Sequence, residues 1–242
     1  MSRVSTRLSR PHFSLASAAH TRHDALMITD RRAFILDNTR LQSPPHAPEL
    51  ALYLADEITP IWRLTEEALE EIGLPPPFWA FAWAGGQALA RYVLDNPDIV
   101  AGRRVIDFAA GSGMVAIAAM KAGAASALAA DIDVFCEAAV ALNAAANGVA
   151  VDFTDADLLE APAPDWAQVI LAGDICYEKP LAERVIAWLT AARAAGKTVL
   201  IGDPGRTYFP RTGLTLLAEY QVATTRELED MEVKRTRVWT FP

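Results

Sequence analysis

The segment Val105-Ile106-Asp107-Phe108-Ala109-Ala110-Gly111-Ser112-Gly113 runs from an apolar strand into a glycine bend. Gly111 and Gly113 let the backbone turn tightly and approach a ligand, which a side chain would obstruct. Asp131 follows Gly111 by twenty residues, at the expected end of the next strand, where a carboxylate accepts both hydroxyls of an adenosine ribose. Together these residues describe a nucleoside site. Gly111-Ser112-Gly113-Met114-Val115-Ala116 also satisfies the dinucleotide fingerprint G-x-G-x-x-A. Asp107 separates the two readings: a carboxylate there crowds a pyrophosphate but orients the charged amino-acid end of S-adenosylmethionine (SAM). Asp155, in Thr154-Asp155-Ala156-Asp157, is placed to accept from an adenine amino group, as is Asp157; a surface turn rich in Asp is the alternative.

A second group, Gly173-Asp174-Ile175-Cys176-Tyr177, closes a later strand at the carboxyl edge, where open α/β sheets bind ligands. Asp174 suits an incoming ammonium, and Tyr177 suits a wall that screens water. A helix cap for Asp174 and core packing for Tyr177 are the competing readings. Trp83, Gly85, Gly86 and Gln87 offer a flat side chain, a flexible turn and a polar amide, a candidate lid over the cofactor. The helix opening there would present backbone amides to the methionine carboxylate of SAM, whereas Phe78, Trp79 and Phe81 read equally well as packing.

The elements that must position these groups follow from periodicity. Beyond Gly102, short apolar strands alternate with helical stretches, the pattern of a parallel sheet covered on both faces. Five strands are expected over Arg104–Phe108, Ser126–Ala130, Val149–Phe153, Trp166–Ala172 and Lys197–Ile201. Helices are expected over Ala84–Leu94, Gly113–Ala122, Val134–Asn147 and Leu181–Ala195, with Gly123, Gly148 and Gly196 as C-terminal stops. Tyr220–Arg226 and Arg235–Phe241 read as an antiparallel edge pair around the charged run Glu227–Lys234. The expected fold class is a doubly wound, seven-stranded, mostly parallel α/β sheet with a Rossmann-like site. Residues 1–26 read as a tail, disordered or targeting-like because it holds arginines and no acid before Asp24; 27–74 read as an irregular N-terminal extension with an amphipathic stretch from Ile61 to Ile72; 75–242 read as the SAM-binding domain.

With 242 residues, 52% of them hydrophobic, the chain is long enough to bury a large core. Its net charge of −8 disfavours broad binding to nucleic acid, and no run approaches the roughly 20 apolar residues of a membrane span. Cys136 and Cys176 are too few and too far apart for a zinc site, so no metal is expected and both read as free core thiols. Methylation of a nucleobase or a small-molecule amine, a non-catalytic SAM-binding module and a nicotinamide-dependent oxidoreductase stay open on these residues alone. The missing prolines of a D-P-P-Y motif at Asp174-Ile175-Cys176-Tyr177 weigh against a nucleobase.

Trp83-Ala84-Gly85-Gly86-Gln87-Ala88-Leu89, Asp107 to Gly113, Asp131-Ile132-Asp133, Gly173-Asp174-Ile175-Cys176-Tyr177 and Ile201-Gly202-Asp203-Pro204-Gly205-Arg206 together resemble the lysine methyltransferases of the electron transfer flavoprotein beta subunit, seven-strand enzymes with a D-x-x-Y signature. The resemblance spans roughly Pro75 to Pro242. It implies SAM as cofactor and a lysine of the flavoprotein beta subunit as acceptor; a ribosomal-protein acceptor stays open as the alternative, and a monomer is expected. It implies Asp131 as the cofactor acid and Asp174 and Tyr177 on the acceptor side. A bacterial enzyme of this kind would be cytoplasmic and a eukaryotic one mitochondrial. One departure is Ala109, where many relatives carry the first of three glycines.

Overall fold

Alternation along the central strand sets the layers of the molecule. In the computed structural model, which describes residues 30–56, 61, 76–224 and 232–242, strand β3 (Arg104–Phe108) is buried from Val105 onward. Because strand side chains point alternately to opposite faces, Val105 packs with Ala84, Ala88, Leu89, Val115 and Ala116, while Ile106 and Phe108 pack with Val185, Trp188 and Leu189. Helices α2 (Ala84–Asp95) and α3 (Met114–Lys121) therefore cover one face, and α5 (Lys179–Ala194) covers the other. Asp107 falls on the α2/α3 side.

The seven-stranded sheet has the order β5-β4-β3-β6-β7-β9-β8, with β4 (Ser126–Ala130), β5 (Asp152–Thr154), β6 (Val169–Gly173), β7 (Thr198–Asp203), β8 (Thr215–Ala223) and β9 (Val233–Thr240). Strands β3 to β7 are parallel, and β9 runs antiparallel between β7 and β8. The chain reverses direction of travel across the sheet at β3, so the crevice beyond the carboxyl ends of β3 and β6 is the ligand-binding position of a doubly wound fold. Helix α4 (Val134–Ala146) follows β4, N-capped by Asp133, whose side chain accepts from Phe135 N–H.

The regular part of the sequence reading holds closely. β3 and β4 begin and end as expected; β5 is shorter, β6 starts three residues later than Trp166, and Gly123, Gly148 and Gly196 all take positive φ at helix ends. The N-terminal extension differs from the irregular segment expected. Asp30 caps helix α1 (Arg31–Asn38) by accepting from Ala33 N–H at 2.8 Å, and β1 (Arg40–Gln42) pairs antiparallel with β2 (Leu52–Leu54). This small sheet is separate from the main one. It docks on α4, whose Asn143 and Asn147 accept from the backbone N–H groups of Tyr53 and Ala51 at 2.7 and 3.0 Å. At the other end β8 starts at Thr215, five residues before the expected Tyr220. The tail 1–26, the amphipathic stretch from Ile61 to Ile72 apart from Ile61 itself, and the charged run from Glu227 to Met231 lie outside the described residues.

Candidate active site

The glycine bend is built from both ends. Gly111 and Gly113 take φ of 51° and 76°, and Ala109 takes 55°, a left-handed conformation that costs a residue with a Cβ roughly 1–2 kcal/mol. A Cβ at Gly113 would also meet Val140 Cγ2 at 3.0 Å, so that glycine serves close packing on α4 as well as the turn. Asp131, at the end of β4, accepts from Gly111 N–H at 2.9 Å with Oδ2 and from Asp133 N–H at 3.0 Å with Oδ1, tying the bend to the neighbouring strand. Asn143, fully buried, donates to Ser112 C=O at 2.8 Å while its carbonyl accepts from Tyr53 N–H. Asn143 thus couples the bend to the N-terminal hairpin, a link that no local sequence pattern discloses.

Asp107 is 2% exposed, and its Oδ2 accepts from Ala116 N–H at 2.8 Å in the first turn of α3. The carboxylate fixes the start of that helix. Burial, and then the charge of Asp131, push its pKa up to about 8 against the pull of the Ala116 N–H. Asp133 is pushed up to about 7, again by burial with Asp131 adding. Asp131 itself is raised by burial in opposition to its N–H donors. The charge of Asp131 raises the proton affinity of both neighbours, so the group as a whole favours a cation. Asp155 lies exposed past the end of β5, and Asp157 instead caps a short 3-10 turn through Leu159 N–H at 2.9 Å.

On the acceptor side, Asp174 stands one residue past β6 with φ 57° and side-chain exposure of 10%. Its Oδ2 accepts from Gly86 N–H at 2.8 Å, and its Oδ1 accepts from Arg206 Nη2 at 2.7 Å and Nε at 3.2 Å. The helix N-terminus of α2 does receive a carboxylate, as its unpaired amides favour, but it is that of Asp174. The Gly86 N–H is thus taken up by Asp174 rather than left for a cofactor. Gly85 is not part of a flexible turn either: it lies inside α2, where a Cβ would overlap the Gly202 carbonyl oxygen and stand 2.6 Å from Asp174 Oδ2. Gly86 and Gly173 make the matching close approach, so α2 rests its first turn directly on β6 and β7.

Gln87 is held by protein partners on both ends of its amide. It is 2% exposed, donates to Ala82 C=O at 2.7 Å and accepts from His46 N–H at 3.1 Å, a strut between α2 and the N-terminal extension. Trp83 donates its indole N–H to Phe78 C=O at 2.9 Å and stands edge-on to Phe78 and Phe81. Tyr177 is 41% exposed, with its ring 5.8 Å from Phe78 and its phenol pushed up to about 12 by partial burial and by the charges of Asp131 and Glu178. Trp79 turns the other way, stacked on Phe135 at 5.9 Å. The aromatic run therefore splits: Phe78 and Trp83 ring the acceptor side, and Trp79 packs in the core. Arg206, which the sequence reading quoted but gave no role, proves to be the main side-chain partner of Asp174.

SAM carries a sulfonium and an ammonium charge, and the residues around the bend fit it. Asp107, Asp131 and Asp133 converge there, among the described residues without a lysine or arginine side chain bonded to Asp107 or Asp131, a donor set that suits a cationic nucleoside and opposes a pyrophosphate. The sheet order, the carboxylate-flanked bend and the antiparallel β9 define the seven-strand class of SAM-dependent methyltransferases. Comparison with known sequences narrows the class. The chain is 38% identical to the electron transfer flavoprotein beta subunit lysine methyltransferase of Danio rerio over 88% of its length and 83% of that protein's. It is 39% identical to that of Xenopus laevis over 87% and 86%, and 36% identical to that of Homo sapiens over 87% and 81%. The chain belongs to this family. Such coverage is more than Pro75–Pro242 supplies, so the similarity reaches into the N-terminal extension, further than the motifs indicated. Residues 87–185 also match the ribosomal protein L11 methyltransferase (PrmA) family. Solved structures align loosely: magnesium protoporphyrin IX methyltransferase from Synechocystis with bound SAM gives a TM-score of 0.47 at 13% identity over 65% of this chain and 78% of that one.

Proposed function

We propose that this enzyme transfers the methyl group of SAM to a lysine amine of the electron transfer flavoprotein beta subunit. The observation that carries the reading is the division of the crevice: carboxylates Asp107 and Asp131 at the ends of β3 and β4, and Asp174 across the switch point after β6. When bound, the cofactor supplies a methyl group on a positively charged sulfur that leaves as a neutral thioether. Asp131 would hold the ribose hydroxyls, Asp107 the amino-acid end, and Asp155 the adenine edge. Asp174 would align the acceptor nitrogen by a hydrogen bond, and Tyr177 with Phe78 and Trp83 would line the lysine's path and exclude water. The similarity to the named relatives over most of the chain supports the acceptor protein. The PrmA match covers α2 to the middle of α5, which includes the cofactor half of the sheet, and does not favour a ribosomal acceptor.

The test is incubation of the enzyme with purified electron transfer flavoprotein and methyl-labelled SAM, followed by peptide mass spectrometry. Label on a beta-subunit lysine is expected; an unlabelled subunit beside an active control methyltransferase removes the acceptor. Asp174→Asn should bind S-adenosylhomocysteine within threefold of wild type yet turn over at least about tenfold more slowly.

A further inference from the structure

Arg206 brings a positive charge to the acceptor side. Asp203, 1% exposed at the end of β7, accepts the backbone N–H groups of Gly205 and Arg206 at 2.6 and 2.8 Å through Oδ1, which fixes the point where the arginine side chain departs. From there the guanidinium reaches Asp174 Oδ1 through two N–H groups and lies 5.5 Å over the Trp83 ring. Any cation that touches Asp174 therefore sits within about 6 Å of the guanidinium.

A lysine amine has a pKa near 10.4 and attacks only when neutral. An unopposed carboxylate would stabilise the ammonium and move that equilibrium the wrong way. Resting on the reading that an amine is accepted at Asp174, we infer that Arg206 is a positioning residue whose charge neutralises Asp174 and lowers the proton affinity of the bound amine. The ammonium gives its proton to solvent; the nitrogen lone pair then forms the N–C bond as the S–C bond breaks and its electron pair stays on sulfur. Asp174 keeps lone pairs enough to orient the nitrogen, while the guanidinium disfavours a second positive charge beside it.

The surrounding groups leave this role to Arg206. Cys176 and Tyr177, on the Asp174 side, are both pushed up to about 12 by burial first, and so are neutral at working pH. Asp203 is held by backbone N–H groups and raised to about 7 by burial and by Asp174. Glu178 and Asp131 act on Tyr177 from further away. The first turn of α2, packed against Asp174, brings no charged side chain.

The experiment compares wild type, Arg206→Gln, Arg206→Met and Arg206→Lys. Single-turnover methylation of the flavoprotein is followed from about pH 6.5 to 10, with S-adenosylhomocysteine affinity and thermal unfolding measured on each variant. The Gln and Met variants should shift the rising limb up by about one pH unit, a roughly tenfold loss near neutrality that is regained at high pH. Arg206→Lys should keep the wild-type limb. An equal loss at every pH, as removal of a mere strut would give, overturns the inference. In parallel, carbon-13 n-butylamine is titrated on the S-adenosylhomocysteine complex, where its chemical shift reports protonation. Its bound pKa should be about one unit higher in Arg206→Gln than in wild type. Equal values, or no binding to wild type, overturn the inference. An unmethylated flavoprotein would remove the acceptor protein alone, because the amine titration still decides the role of Arg206.

Discussion

Replacing Gly85 by alanine sets two effects of known size against each other. Alanine within a helix is favoured over glycine by about 0.8–1 kcal/mol, less at a first-turn position. The added methyl, however, would overlap the Gly202 carbonyl oxygen, and it would stand 2.6 Å from Asp174 Oδ2 and 2.8 Å from Asp174 Cγ. Backbone of β7 cannot rotate away as a flexible side chain would, so α2 must lift. Lifting breaks the 2.8 Å bond from Gly86 N–H to the Asp174 carboxylate, a charged hydrogen bond worth about 1.5–3 kcal/mol. It also opens the contact of Ala84, Ala88 and Leu89 with the sheet core, which overpacking studies price at a further 1–3 kcal/mol. The net expectation is a loss of about 2–4 kcal/mol. Urea unfolding reads it as a lower midpoint, and the turnover assay reads a displaced Asp174 as a fall in kcat larger than any change in S-adenosylhomocysteine affinity. A variant within about 0.5 kcal/mol of wild type with unchanged kcat would refute the close seating of α2 on β6 and β7.

Ala109→Gly should stabilise the fold by about 0.5–1 kcal/mol, since relief of the left-handed strain at φ 55° exceeds the entropy that glycine adds to the unfolded chain; urea unfolding that shows a loss contradicts the strain. Gln87→Leu should cost about 1–3 kcal/mol by leaving the His46 N–H and Ala82 C=O unpaired, with cofactor affinity unchanged; a large drop in S-adenosylhomocysteine affinity by calorimetry would restore Gln87 to the cofactor site. Asp107, raised to about 8, binds more protons folded than unfolded, so its contribution to stability is present below about pH 4 and is lost as pH rises through 8. A cation favours its ionised form, and SAM binding below that pH should therefore release a proton, with affinity rising up to about tenfold per pH unit and levelling off above 8. Calorimetry in buffers of different ionisation enthalpy measures that proton, and Asp107→Asn should abolish its release; release that persists in the variant contradicts the assignment.

Much of the architecture was legible because the relevant signals are local. β3 and β4 are short, mostly apolar runs that lead to Gly111 and Asp131, and the stops of α3, α4 and α5 are glycines that adopt positive φ. Helix α1 was missed although its signal was present: Asp30 caps Arg31–Asn38, but Pro44, Pro45 and Pro48 downstream suggested an irregular segment throughout. The hairpin β1-β2 has three residues per strand, too few for alternation to show. The start of β8 was read late because Leu216 and Leu217 both remain exposed, which breaks the period-two pattern. At the site, the candidates were found by chemistry, while their partners depend on sheet order. Arg206 meets Asp174 only because β6 and β7 are neighbours, with Gly173 opposite Gly202. Asn143 reaches Ser112 only because α4 crosses behind the glycine bend. The partners of the buried Gln87, Ala82 C=O and His46 N–H, depend on how the N-terminal extension docks on α2.

The most direct measurement is a crystal structure of the enzyme with S-adenosylhomocysteine. The ribose hydroxyls should lie within hydrogen-bonding reach of Asp131, the amino-acid end near Asp107, and the sulfur should face the side of the crevice that holds Asp174. A ligand seated away from the Gly111–Gly113 bend, or with its sulfur turned from Asp174, would contradict the account.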